Sequence, residues 1–245
     1  MSCIIVGAGP ALGLALARRF GSAGHRVGLI ARNADRLRRL TASLDADGVA
    51  ADWRLADAAD EQRLRRAIAE LEEVCGPSDT LVYNAAVMRS AGPLTLTPQQ
   101  LRSELDVNVV GGLVAAQTVA PGMVDRGRGA IIFTGGGLAL EPYPEWAGLA
   151  MGKSALRSLS LSLYKELAPS NVHVAVIAIC GIVAAGGPFD PQVIAETYWD
   201  LANQPPRTDR REIVFQPAGT DPFYNDPERK HRATTVTPAH VRPDA

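Results

Sequence analysis

The stretch VGAGPALG, residues 6–13, does most to limit what this chain can fold into. It follows the apolar run CIIV and opens the helical pattern ALGLALARRFGSAG, which Gly24 stops. Each glycine of the turn has a separate task. Gly7 permits the tight turn, Gly9 lets another group approach the backbone, and Gly13 allows the helix to pack closely on the strand. The spacing is Gly-x-Gly-x-x-x-Gly. A turn like this belongs to a strand–helix–strand crossover, so the chain must supply further strands parallel to the first.

It does so regularly. HRVGLIAR, VAADWRLA, DTLVYNAA, GAIIFTGG, NVHVAVIAIC and REIVF read as strands, and helical patterns stand between them. Asn33 caps the helix ADRLRRLTASL, with Asp35 in its first turn. Thr97, Pro98 and Gln100 make a capping box with proline at the first helical position, and that helix runs on through LRSELDVNVVGGLVAAQTVAPGM. A short helix lies near DPQVIAETYWDLAN. Continuous apolar strands alternating with helices imply an α/β fold, a Rossmann-type doubly wound parallel sheet in one domain spanning 1–216. Residues 217–245 are rich in proline and charge and lack an apolar period. They are expected to form an extended or disordered tail, or an arm that docks on a partner subunit.

Composition narrows the function classes. The net charge of −1 argues against nucleic acid or an anionic membrane as partner. No uninterrupted run of about 18 apolar residues occurs, so no membrane span is expected. The apolar N-terminus lacks the basic start of a signal peptide, and Pro10 and the glycines break its run. Cys3, Cys75 and Cys180 lie far apart. They form neither a metal pattern nor a disulfide framework, so a cytoplasmic location and no metal are expected.

The helix that follows the glycine turn points its free N–H groups and positive dipole end at whatever occupies the turn, which suits a pyrophosphate. The second strand ends LIARN. An acid there would hold the ribose 2′-hydroxyl of NAD, whereas an arginine suits a 2′-phosphate. This chain has Ala31 and then Arg32, so NADP(H) is favoured over NAD(H); the plain alternative is that Arg32 is a solvated surface residue.

AGLAMGKS, residues 147–154, fits a loose phosphate-binding P-loop, A-x-x-x-x-G-K-S, or the middle of a helix. A P-loop must join a strand directly to a helix. Here Pro142 and Pro144 intervene after the strand AIIFTGG, and no strand ending in an acid offers a magnesium partner. The helix is the better reading.

Taken together, GAGPALG at 7–13, DAAD at 57–60, YNAA at 83–86, DVNVVG at 106–111 and Lys153 in a long helix resemble the short-chain dehydrogenase/reductase family over about residues 3–216. The resemblance implies that Asp57 and Ala58 lie near the adenine. It implies that Asn84, Ala85 and Ala86 line the cofactor path, and that Val183 in CGIV touches the nicotinamide amide. The family usually has proline where Cys180 stands. Its chemistry uses a serine, a tyrosine and a lysine with a supporting asparagine; the last two correspond to Lys153 and Asn108 as catalytic candidates. The tyrosine should stand four residues before Lys153, on the same helix face. Leu149 stands there instead, and Gly136 occupies the serine position. Lys153 also has a binding role in the family, on the nicotinamide ribose. Substitute donors in the sequence are Thr134, Tyr143, Glu141 and Glu145, each with an ordinary loop or strand role as alternative; Tyr83 and His173 read as packing residues.

Two functions follow. One is an NADP(H)-dependent oxidoreductase with an altered site, acting on a small organic substrate in a pocket lined by Leu138, Leu149 and Val183. An iminium, which carries its own charge, or a conjugated alkene would not need the tyrosine acid. The other is a non-catalytic dinucleotide-binding regulatory or assembly protein. Small residues including Gly111, Gly112, Gly148 and Ala155 on two long helices, and the family's habit, imply a homodimer or homotetramer.

Overall fold

The computed structural model describes residues 1–205, 208, 210–221 and 224. Strands β1 (Ser2–Val6), β2 (Arg26–Ala31), β3 (Ala51–Leu55), β4 (Thr80–Tyr83), β5 (Gly129–Thr134), β6 (Val172–Ile179) and β7 (Glu212–Phe215) form one sheet. Its order is β3-β2-β1-β4-β5-β6-β7, and every pairing is parallel. The expected doubly wound sheet is therefore present. Sequence order reverses between β1 and β4, which opens a crevice at the carboxyl ends of these two strands.

Both faces of the sheet are covered, because alternate strand residues point to opposite sides and both sides are apolar. Ile4 and Val6 of β1 join a core with α3 (Glu61–Cys75), α5 (Gly111–Arg126) and α6 (Ala147–Leu167), through Leu64, Ile68, Val114 and Leu156. Cys3 and Ile5 of the same strand join the opposite core, with α1 (Leu12–Ser22), α2 (Ala34–Ala46) and α7 (Pro191–Ala202), through Leu16, Leu37 and Ile194. The three cysteines are buried and unlinked.

Local signals set the helix starts. Asn33 accepts from the Arg36 amide at 2.8 Å, and Thr97 and Gln100 exchange both capping-box hydrogen bonds at the start of α4 (Pro98–Leu105). The single helix expected from residue 98 onward is interrupted by one wide π turn, Asp106–Val110, between α4 and α5. The buried Tyr83 hydroxyl donates to the Val107 carbonyl inside this turn. Among the described residues, this continuous helix, Pro98–Arg126, is the only one long and apolar enough by length and composition to cross a membrane. Much of it packs on the sheet, with 56% of its most apolar window buried.

The small residues nominated for self-association are mostly spent inside the chain. A Cβ on Gly111 would meet the Ala58 carbonyl and the Tyr83 hydroxyl, one on Gly112 would meet Leu156 and Phe133, and one on Gly148 would meet Glu104. These glycines serve intrachain packing, so they do not argue for an interface. Of the expected tail, residues 217–221 and 224 are described: Thr220 turns back on the Pro217 carbonyl through its amide (3.2 Å) and its hydroxyl (2.6 Å). The rest of the tail lies outside the described residues.

Candidate functional site

The crevice at β1 and β4 is a cleft of about 510 Å³. It gathers Gly7, Gly9, Arg32, Asp57, Ala58, Asn84, Ala85 and Ala86, eight of the residues nominated from the sequence. Gly7 has φ +88°, and a Cβ there would lie 2.3 Å from the Ala85 amide nitrogen. Only glycine meets both demands. Asn84 fixes the turn by donating to the Gly7 carbonyl at 3.0 Å. Gly9 is the opposite case: its Cα faces open space, with nothing within 4 Å of an added Cβ. Gly13 sits behind the turn and packs against the Ala8 backbone rather than on a strand. Helix α1 begins with Ala11 at its N-cap, which offers no side-chain oxygen to the first turn.

At the far end of the cleft the charge is positive. Arg32 is exposed, 3.7 Å from the Asp57 carboxylate, and Arg36 on the first turn of α2 lines the same space. Sequence reasoning missed Arg36. The available signal was its spacing, one helical turn beyond Arg32 and three residues after the N-cap.

Asn108, Lys153 and Val183 lie outside the lining of this cleft. Lys153 is buried on α6, and its Nζ donates to the Thr134 carbonyl at 2.6 Å. Burial without a carboxylate partner pushes its pKa down to about 8. Asn108 is also buried. Its Oδ1 accepts from the Val87 amide at 2.7 Å and its Nδ2 donates to the Val87 carbonyl at 3.3 Å, so the side chain holds the segment after β4 against the π turn. Gly152, one residue before Lys153, admits Asn108 by lacking a side chain.

One turn before Lys153, Leu149 is buried with Leu138 and Ala150, and Tyr143 and Trp146 pack on this cluster. Val183 does not join it. It packs instead on the core layer that holds α1 and α7. Gly136 is extended, and an added Cβ would lie 3.8 Å from Lys153 Cγ and 4.0 Å from its Cε, ordinary contacts. Of the other candidates, the Thr134 hydroxyl is paired with the Tyr198 hydroxyl at 2.8 Å. Glu145 accepts from Ser90 at 2.9 Å, and Glu141 is exposed. Tyr83 is a buried packing residue that also clamps the π turn. His173 is a partly buried strand residue contacting Gln204, its pKa pushed down to about 4 mainly by burial.

Cys180, where the family resemblance implies proline, uses its amide to donate to the Phe215 carbonyl at 3.1 Å, a bond that proline cannot make. The loop beyond is short and closed on itself: Ala184 donates to the Phe189 carbonyl at 3.2 Å, and Gly186 to Asp190 at 2.6 Å. A further cavity, about 360 Å³, lies at the amino ends of the strands near His25, Asp79 and His173. None of the nominated cofactor residues reaches it. The glycine turn and the switch in strand order both lie at the carboxyl ends, which makes the cleft there the candidate site. No group of three or more metal-ligating side chains occurs among the described residues.

Comparison with known proteins agrees with this geometry. Residues 2–187 match the short chain dehydrogenase family. The chain is 31% identical over 182 residues to 2,3-dihydro-2,3-dihydroxybenzoate dehydrogenase of Bacillus subtilis, covering 74% of this chain and 67% of that protein. It is 31% identical over 168 residues to dehydrogenase/reductase SDR family member 4 of Bos taurus, covering 68% of this chain and 60% of that protein. Among solved structures, a metagenomic short-chain oxidoreductase in complex with NADP superposes with a TM-score of 0.79 at 29% identity, over 87% of this chain and 96% of the other.

Proposed function

This chain belongs to the short-chain dehydrogenase family, and from that premise we propose that it binds NADP(H) and transfers hydride to a small organic substrate through an altered catalytic site. The observation that carries the cofactor reading is the pair Arg32 and Arg36 at one end of the cleft, with no acid at the end of β2. Two guanidinium groups suit a 2′-phosphate, for which Arg32 would exchange its exposed pair with Asp57. The space over Gly9 fits a pyrophosphate, which the first turn of α1 would receive with its dipole. Asp57 and Ala58 would meet the adenine, and Asn84, Ala85 and Ala86 the ribose and pyrophosphate path. When bound, the dinucleotide supplies the hydride.

Lys153 would hold the nicotinamide ribose, as a cation below about pH 8. Asn108 keeps the segment after β4 in place through Val87. Proton delivery is the altered part. Leu149 has no proton to give, and Gly136 has no hydroxyl to hold a substrate oxygen. Iminium or conjugated-alkene substrates would tolerate both losses. Three buried, unlinked cysteines fit a reducing cytoplasm. A homodimer or homotetramer follows the family habit, with Val110 and Met151 exposed on the long helices.

Titration with NADPH and NADH, followed by turnover on carbonyl, imine and enone panels, tests this reading. Preferential NADPH binding with oxidation of the cofactor by one panel supports it. The second reading, a non-catalytic dinucleotide-binding regulatory or assembly protein, is favoured by the apolar packing of Leu149. Tight NADPH binding with no turnover on any panel would select it. Binding of neither dinucleotide would sink both.

A further inference from the structure

We propose that Tyr224 supplies the proton donor that position 149 lacks, with its ring forming a wall of the substrate pocket; the inference rests on the oxidoreductase reading above. Topology brings this residue to the site. In an all-parallel sheet every strand ends at the same edge, so the chain leaving β7 emerges where the glycine loop after β5 and the end of β6 also lie. The Cys180 amide, bonded to the Phe215 carbonyl at 3.1 Å, ties the ends of β6 and β7 together at that edge. Beyond it, the turn at Pro217–Thr220 redirects the chain.

The Tyr224 ring then comes down on Gly137. A Cβ there would lie 3.3 Å from Tyr224 Cε1 and 3.2 Å from Cys180 Sγ, so this loop residue bears no side chain where the ring arrives. The preceding residue, Gly136, faces the Lys153 stem at 3.8 to 4.0 Å. The phenol ring and the lysine stem thus flank consecutive residues of one loop.

Tyr83 is buried on the Val107 carbonyl, and Tyr198 is buried on the Thr134 hydroxyl. Tyr164 packs on His173, near the amino end of β6. Tyr143 packs on the Leu138–Leu149 cluster and is the natural control.

The step balances as follows. The carbonyl carbon of an aldehyde or ketone receives hydride from a reduced nicotinamide dinucleotide, which is oxidised. The C=O π pair moves to oxygen, and the Tyr224 O–H bond breaks as that oxygen takes the proton. The product is an alcohol, and water reprotonates the phenolate.

The test uses the full-length chain as wild type, Tyr224→Phe, Tyr143→Phe, and Tyr224→Phe combined with Leu149→Tyr. NADPH binding is followed by nicotinamide fluorescence, and kcat and KM are measured across pH on aromatic aldehydes and activated ketones. Expected are NADPH affinities within about twofold of wild type, a kcat loss of about 100-fold or more in Tyr224→Phe with loss of the alkaline limb of its pH profile, little change in Tyr143→Phe, and at least partial recovery when the phenol is moved to position 149. An active wild type with Tyr224→Phe unchanged, or with only KM affected, overturns the assignment to Tyr224 and leaves the oxidoreductase reading standing. A kcat loss confined to Tyr143→Phe overturns it in favour of that loop. A wild type that binds NADPH and reduces nothing overturns both.

Discussion

The Lys153 ammonium donates to the main-chain carbonyl of Thr134 at 2.6 Å and has no ion-pair partner among the described residues. A carbonyl dipole is a weaker counterweight than a carboxylate, so burial decides the titration of this lysine.

The pH dependence follows from that. The displacement from 10.5 to about 8 means that the unfolded chain holds a proton between those values which the folded chain has released. Stability from this group therefore rises as pH climbs from about 8 to 10.5, by about 3 kcal/mol at most. Subtracting the urea stability of Lys153→Met from that of wild type at each pH isolates it. A difference that stays flat across this range would refute the buried, unpaired ammonium.

Gly7 and Gly9 are two residues apart and should respond in opposite ways. Gly7→Ala puts a side chain 2.3 Å from the Ala85 amide at φ +88°, and should cost several kcal/mol or prevent folding. Gly9→Ala meets nothing within 4 Å, so its melting temperature should match wild type while NADPH binding weakens by about 10-fold or more. Calorimetry and dinucleotide titration separate the two.

Arg32→Ala and Arg36→Ala should each weaken NADPH binding by about 10-fold and leave NADH binding within about twofold. Stability should hardly change, because the Arg32–Asp57 pair is exposed. Equal losses for both dinucleotides would place these arginines away from the 2′-phosphate.

Gly148 and Glu104 should be coupled. A Cβ on Gly148 would fall 2.0 Å from Glu104 Oε2, a buried oxygen without a hydrogen-bond partner whose sister atom takes Arg89 at 2.8 Å. Gly148→Ala should cost about 1–3 kcal/mol, and much of that should return when Glu104→Ala is added. Additive losses in a denaturation cycle would show that the two residues do not share one space.

Gly136→Ser with Leu149→Tyr should raise carbonyl reduction above the wild-type rate. The first change meets only ordinary contacts, and the second opens a phenol one turn before Lys153. A folded double variant that binds NADPH and reduces no carbonyl would put the register in doubt.

Much was legible in the sequence because strand and helix periodicity, caps and the glycine turn are short-range signals. The doubly wound sheet, the capping box at Thr97 and the cleft residues Gly7, Gly9 and Arg32 follow from them, whereas Asp57 and Asn84 come only from the family resemblance. The π turn at Asp106–Val110 did not. It shares its apolar pattern with an ordinary helix and is marked by a bond to Tyr83, 24 positions earlier.

The sequence by itself determined the fold, the edge of the sheet where the candidate cleft lies, and the absence of a phenol at position 149. Tertiary structure alone decided that Asn108 is spent on Val87, that Gly111, Gly112 and Gly148 turn inward, and that Val183 packs apart from the Leu138–Leu149 cluster. It also brought Tyr224 onto Gly137 from 87 positions away. The reason is physical. Periodicity and turn chemistry act within a few residues and can be read from neighbours, whereas these contacts arise only after a parallel sheet has carried every strand's end to one edge.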